Sequence, residues 1–143
     1  MNKKVTEIFS AFGHINVQAT HHSTIEFTKE THLSRMGDCI LAVGSEKAPP
    51  DLSDNFKDAL RKPYARLTIT IEADEIREQI NAFGSPKLFL THHSDIVVRK
   101  STYVDGRTVG IRADKAARDL SRALVEKLRN PNQKAVIILA VQS

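Results

Sequence analysis

Arg99-Lys100-Ser101, Arg107 and Arg112-x-x-Lys115 gather five cations and a hydroxyl between residues 99 and 115. A guanidinium grips phosphate in two-point contact, and lysine adds a compact point charge. A helix starting near Asp114 or Ser121 would add backbone donors. Arg99, Lys100, Ser101, Arg107, Arg112 and Lys115 therefore read as contacts to a phosphate-rich ligand, with RNA or a nucleotide as the partner. No glycine-rich phosphate loop accompanies them, and Tyr103 is the one aromatic inside the cluster. Sequence-specific recognition of single-stranded RNA uses more stacking platforms than that. Asp95, Asp105 and Asp114 dilute the charge, so the plainer reading is a set of surface salt bridges.

Histidines supply the second chemistry. His21 and His92 stand at equivalent places in two similar segments, each on a mostly apolar face. With Asp38 they would make a two-histidine, one-carboxylate site for a divalent metal such as zinc or iron. Water on that metal would serve hydrolysis. Adjacent histidines on a strand point to opposite faces, so His21 and His22 cannot share an ion there. The competing reading is hydrogen bonding inside the core. His14, Asn16 and Thr20 lie on the opposite, polar face, with alternate side chains about 7 Å apart. They read as the floor of a groove, or as the solvated side of a sheet. Cys39, flanked by apolar residues, reads as a small buried hydrophobe.

The elements that carry these residues follow from a repeat. Ala11-Phe12-Gly13 returns as Ala82-Phe83-Gly84, and Thr20-His21-His22-Ser23 as Thr91-His92-His93-Ser94, both 71 residues on. Eight of 18 positions are identical between 11–28 and 82–99. Between 51–63 and 119–131, now 68 apart, six of 13 agree. Unrelated windows of this size match at roughly one position. Two fused repeats, about 1–72 and 73–143, are expected to pack about a pseudo-two-fold axis as a single domain. A chain of 143 residues fits one domain.

Period-two alternation predicts a long half-buried strand over 14–27 and its copy over 88–98. Residues 39–43 and 108–111 read as short strands after turns, the first of them central in its sheet. Residues 66–73 and 135–142 are also strand-like. Leu52, Phe56, Ala59 and Leu60 predict a helix over 51–62, closed by Pro63. Its copy starts near Ser121 as N-cap, leaving 114–118 as a separate turn. Residues 74–83 read as a helix closed by Gly84. Their partner, 3–12, fits helix or strand. Short turns between consecutive strands predict antiparallel pairing. The expected fold is α+β: internally duplicated, mainly antiparallel sheet, sandwich or barrel-like, with two equivalent helices.

Composition narrows the setting. Hydrophobic residues make up 41 % and charged residues 27 %, with a net charge of +4. Residues 1–72 balance nine basic against nine acidic side chains, while 73–143 carry twelve against eight. The excess in the second half points to an anionic partner. The longest apolar run, 135–141, is far short of the roughly 20 residues of a spanning helix. No apolar core of a signal peptide follows Met1-Asn2-Lys3-Lys4. One cysteine excludes an internal disulfide. A cytoplasmic protein without membrane contact is expected.

Motifs along the chain resemble an archaeal family labelled "domain of unknown function 371". They are Gly13-His14-x-Asn16-Val17-x-Ala19-Thr20-His21, Thr24-x-Glu26-x-Thr28-Lys29-Glu30 and Gly37-Asp38-Cys39-Ile40. In the second half they are Arg99-Lys100-Ser101-x-Tyr103, Arg107-Thr108 and Ala113-Asp114-Lys115-Ala116-Ala117-x-Asp119-Leu120. Ser121 departs from the family, which is associated with proline there, a residue that suits a helix start. The resemblance implies an archaeal cytosolic protein with a compact β-rich fold, and no activity. Three functions remain in view: a binding protein for RNA or a nucleotide, a metal-dependent hydrolase using His21, His92 and Asp38, and a non-catalytic assembly subunit.

Overall fold

The computed structural model describes residues 4–143. Residues 1–3, and with them the start of the 3–12 segment and most of the basic Met1-Asn2-Lys3-Lys4 stretch, lie outside the described residues. Eight strands and two α-helices run in the order β1 Lys4–Phe12, β2 Thr24–Thr28, β3 Ile40–Ala42, α1 Asp54–Leu60, β4 Arg66–Ala73, β5 Ile76–Phe83, β6 Asp95–Arg99, β7 Thr108–Gly110, α2 Arg122–Leu128 and β8 Lys134–Gln142. They form two four-stranded sheets, β1-β8-β4-β5 and β3-β2-β6-β7. The first sheet is antiparallel throughout. The fold is α+β.

Alternation builds the first sheet. Phe9 and Ala11 of β1, Leu67, Ile69 and Ile71 of β4, and Ala135, Ile137, Leu139 and Val141 of β8 are fully or nearly fully buried. The second sheet contributes Ile25, Phe27, Ile96 and Val98 to the same core cluster. Phe9 and Phe27 meet edge-to-face at 6.5 Å, joining the two layers. Single bridges, Phe12 to Val43 and Phe83 to Ile111, link the sheets, which do not close into a barrel.

Both helices are short and pinned at the start. The Ser53 hydroxyl accepts the Phe56 N–H, and the Ser121 hydroxyl accepts the Leu124 N–H. Pro49–Asp51 and Ala117–Asp119 form 3-10 turns just before them. A separate turn does precede α2, but at Ala117–Asp119, later than the 114–118 expected.

Three expectations are corrected. Residues 74–83 are not a helix: Ile76–Phe83 is strand β5, paired with β4 along its whole length. Ile76, Ile80 and Phe83 match helical spacing, but Ile80 and Ala82 also alternate inward. Asp74, with φ +54°, turns the chain into a tight hairpin, a conformation aspartate tolerates. Gly84 is no helix cap. A Cβ there would collide with the Leu60 carbonyl oxygen, so close packing demands the glycine. The partner segment resolves as strand β1.

The long strands over 14–27 and 88–98 shrink to Thr24–Thr28 and Asp95–Arg99. Before them the chain turns repeatedly. His14 Nδ1 accepts the Asn16 N–H, and His21 Nδ1 accepts the Ser23 N–H. Ala19 and Leu90 are left-handed, which breaks any extended run. Finally, β3 and β7 pair parallel with β2 and β6 and form the edges of their sheet. Residues 39–43 are therefore not a central strand.

Candidate functional site

The cations expected to hold phosphate are mostly occupied by the protein itself. Arg99 donates to Asp105 at 2.8 Å and to the Thr108 hydroxyl at 3.0 Å, and lies 5.0 Å over the Tyr103 ring. Arg107 sits 3.5 Å from Glu26, 3.6 Å from Asp95 and 3.5 Å from Asp105. Lys100 pairs with Asp119 at 3.0 Å, and Lys115 with Glu78 at 3.2 Å. The Ser101 hydroxyl accepts the Tyr103 N–H, and its carbonyl accepts the Arg112 N–H. Arg112 is exposed, in a left-handed conformation. None of the six lines the clefts of about 590, 390 and 480 Å³ on the protein.

Lys100 and Lys115 have counterparts in the first half. Lys29 pairs with Asp51 and Lys47 with Glu7, both at 2.6 Å. Glu7 and Glu78 each accept the N–H of the serine that caps a helix, Ser53 and Ser121. Burial alone would raise the Glu7 carboxyl, but its bonds to Lys47 and Ser53 bring it below the ordinary value. These pairs anchor helix starts.

Arg99 and Arg107 instead belong to a network on the outer face of β3-β2-β6-β7. At its centre Glu26 is buried, and burial followed by the Asp95 charge lifts its pKa to about 7 against the pull of Arg107. The Cys39 thiol donates to Glu26 at 3.6 Å. Burial first, then the Glu26 charge, pushes that thiol up to about 12, which leaves it a poor nucleophile.

The histidines take structural duties. Besides the Ser23 N–H at His21, His92 Nδ1 accepts the N–H groups of Ser94 and Asp95. Asp38 offers its backbone carbonyl to Thr20 and His21. Among the described residues no three His, Cys, Asp or Glu side chains converge well enough to hold a metal. His21, His92 and Asp38 are therefore not brought together as ligands. Of the groove residues, Asn16 and Thr20 do share a shallow cleft of about 390 Å³, with Gln18, Arg35 and Arg129. His14 does not line it.

A larger groove, about 590 Å³, lies on the outer face of β1-β8-β4-β5. Register fixes its floor. Lys4 of β1 faces Gln142 of β8, Gln142 faces Arg66 of β4, and Arg66 faces Phe83 of β5. Adjacent strands are about 4.8 Å apart, so Lys4 and Arg66 flank Gln142 within about 10 Å at the backbone. The next row is Thr6, Ala140, Thr68 and Asn81, followed by Ile8, Ile138, Thr70 and Gln79. Phe83 is 37 % exposed and Ile8 59 %. Lys4 and Arg66 have no carboxylate within ion-pair distance among the described residues, whereas Arg77 pairs with Glu72 at 3.1 Å. The face combines free cations, amides, hydroxyls and a stackable ring. Sequence reasoning missed it. The signal was the polar half of the β4 alternation, Arg66, Thr68 and Thr70, together with Phe83 on the outward side of β5.

Comparison with known proteins agrees with the motif resemblance. The family model described as "Domain of unknown function (DUF371)" matches residues 9–142. An uncharacterized protein of Methanocaldococcus jannaschii is 41 % identical over 122 residues, which cover 85 % of this chain and 90 % of that protein.

Proposed function

We propose that this chain, which belongs to the family described as Domain of unknown function (DUF371), binds a phosphate-bearing ligand, RNA or a nucleotide, on the open face of β1-β8-β4-β5. One observation carries the reading: Lys4 and Arg66 flank Gln142 on a grooved face with no carboxylate partner among the described residues. An anion between them would gain two charge-assisted contacts without breaking an existing ion pair. Phe83 offers a ring to stack on, and Thr68, Gln79 and Asn81 offer donors and acceptors to a base or sugar. Arg99, Lys100, Arg107 and Lys115 could bind phosphate only by surrendering their carboxylates.

We also read the chain as one domain of two fused repeats, about 1–72 and 73–143. Supporting this, Glu26 pairs with Val97, 71 residues on, and Thr70 with Ile138, 68 residues on. These are the offsets of the sequence repeat. The two pairs stand where a pseudo-two-fold axis would cross each sheet.

The test is fluorescence anisotropy with a labelled RNA mixture and labelled nucleotides, from about 50 to 300 mM salt. Losing a charged hydrogen bond at each cation predicts that the Lys4→Gln, Arg66→Gln variant binds at least about tenfold more weakly. Lys115→Gln should bind as the parent does. Absence of binding at the lowest salt, or loss in Lys115→Gln with retention in the double variant, would overturn the assignment.

A further inference from the structure

We propose that the ligand on this face carries its charge at one end, as a nucleoside monophosphate or a chain terminated by phosphate does, and is not a phosphodiester strand running across the sheet. The inference rests on the binding reading above and deepens it.

Charge is unevenly placed along the face. At one end stand Lys4, Gln142, Arg66 and Phe83. The next two rows hold Thr6, Ala140, Thr68 and Asn81, then Ile8, Ile138, Thr70 and Gln79, without an ionisable side chain on the strands, and at the β5 edge the Asp114 carboxylate accepts from the Asn81 backbone N–H at 2.9 Å. The fourth row holds Ser10, Val136, Glu72 and Arg77, with Glu72 and Arg77 paired to each other. Beyond it Lys127 is held by Asp74 at 3.1 Å and Glu75 at 3.8 Å. At the β1 edge the Glu46 carboxylate accepts from the Ser10 backbone N–H at 2.6 Å and its hydroxyl at 2.9 Å.

From the Lys4 row to the Ser10 row is six residues, or about 20 Å of strand. A running strand would lay its later phosphates over threonines and isoleucines and then beside Glu72 and Glu46. Nothing there would replace the counterions they give up, and like charge would repel them. A ligand with one terminal phosphate avoids this. Its phosphate sits between Lys4 and Arg66. Its neutral body lies over Thr68 and Ala140, with the base against Phe83 and its polar edge towards Asn81 and Gln79. Asn81 is already held by Asp114 at 3.1 Å, which fixes that amide for recognition.

Isothermal titration with each of the four nucleoside 5′-monophosphates, the matching nucleosides, inorganic phosphate and a five-nucleotide RNA with and without 5′-phosphate tests this. At least one monophosphate should bind at least about tenfold more tightly than its nucleoside, as loss of charged hydrogen bonds implies. The RNA should bind only when 5′-phosphorylated, and no better than the monophosphate. Arg66→Gln should abolish the difference between nucleotide and nucleoside, while Lys100→Gln should leave it. RNA binding that strengthens with length and needs no terminal phosphate would overturn the inference and leave the phosphate reading standing. No binding of any phosphate compound would overturn both.

Discussion

The outer faces of the two sheets use their cations in opposite ways. On β3-β2-β6-β7, Arg99 and Arg107 are enclosed by Glu26, Asp95 and Asp105. On β1-β8-β4-β5, Lys4 and Arg66 flank an open groove with no carboxylate in reach among the described residues. The lesson concerns free charge. Density of lysine and arginine along the chain locates charge, but only the fold decides whether a counter-charge meets it. Arg99, Lys100, Arg107 and Lys115 of the dense second-half cluster fold onto carboxylates, while Lys4 and Arg66, isolated along the chain, meet none among the described residues.

The contrast can be broken first through stability. Arg99 is mostly buried and holds Asp105, Thr108 and the Tyr103 ring. Replacing it by alanine should cost about 2–3 kcal/mol, because Asp105 loses its closest partner in a half-buried site. Arg66→Ala, on the open face, should stay within about 0.5 kcal/mol of the parent. Urea denaturation measures both, and equal costs would erase the distinction.

The second prediction uses pH. Glu26 holds its proton up to about pH 7 in the folded state, against an ordinary value of 4.5. The folded protein therefore binds more protons than the unfolded chain between those values, and stability falls as pH rises through that window. Above about pH 7 this contribution is flat. Glu26→Gln keeps an acceptor for the Cys39 thiol and removes the titration. It should flatten the decline between pH 5 and 7, a change of up to about 3 kcal/mol by the linkage relation. A variant with the parent's slope would show that Glu26 is ordinary and that its network is not tightly enclosed.

Smaller effects sharpen the comparison. Arg66→Ala should weaken nucleotide binding about ten- to a hundredfold, the worth of a charged hydrogen bond, read by titration at low salt. Lys115→Ala should leave binding unchanged and cost at most about 1 kcal/mol, as expected of a partly exposed ion pair. A larger binding loss at Lys115 than at Arg66 would reverse the assignment of the two regions.

Much of the architecture was legible locally. The polar-apolar alternation of residues 66–73 gives β4, the apolar run 135–141 gives β8, and Ser121 marks a helix start because a hydroxyl there serves an orphan N–H, whereas the helix expected over 51–62 begins only after its cap Ser53. Strand β5 was misread because Ile76, Ile80 and Phe83 fit helical spacing as well as one side of a strand. Residues 14–23 alternate in composition yet turn, since His14 and His21 satisfy backbone donors two residues on. The site was less legible because its logic is non-local. Lys100 meets Asp119, and Lys115 meets Glu78, only after β6, β7 and β5 are in place. Lys4 and Arg66 become neighbours only because β8 inserts between their strands. Neither carries a motif.

The most direct measurement is a map of backbone amide shifts by NMR as a nucleoside 5′-monophosphate is added to labelled protein. Shifts are expected at Thr6, Thr68, Asn81, Phe83 and Gln142, with Glu26, Asp95, Arg99 and Arg107 unmoved. Shifts concentrated around Arg99 and Arg107, with the β1-β8-β4-β5 face silent, would contradict it.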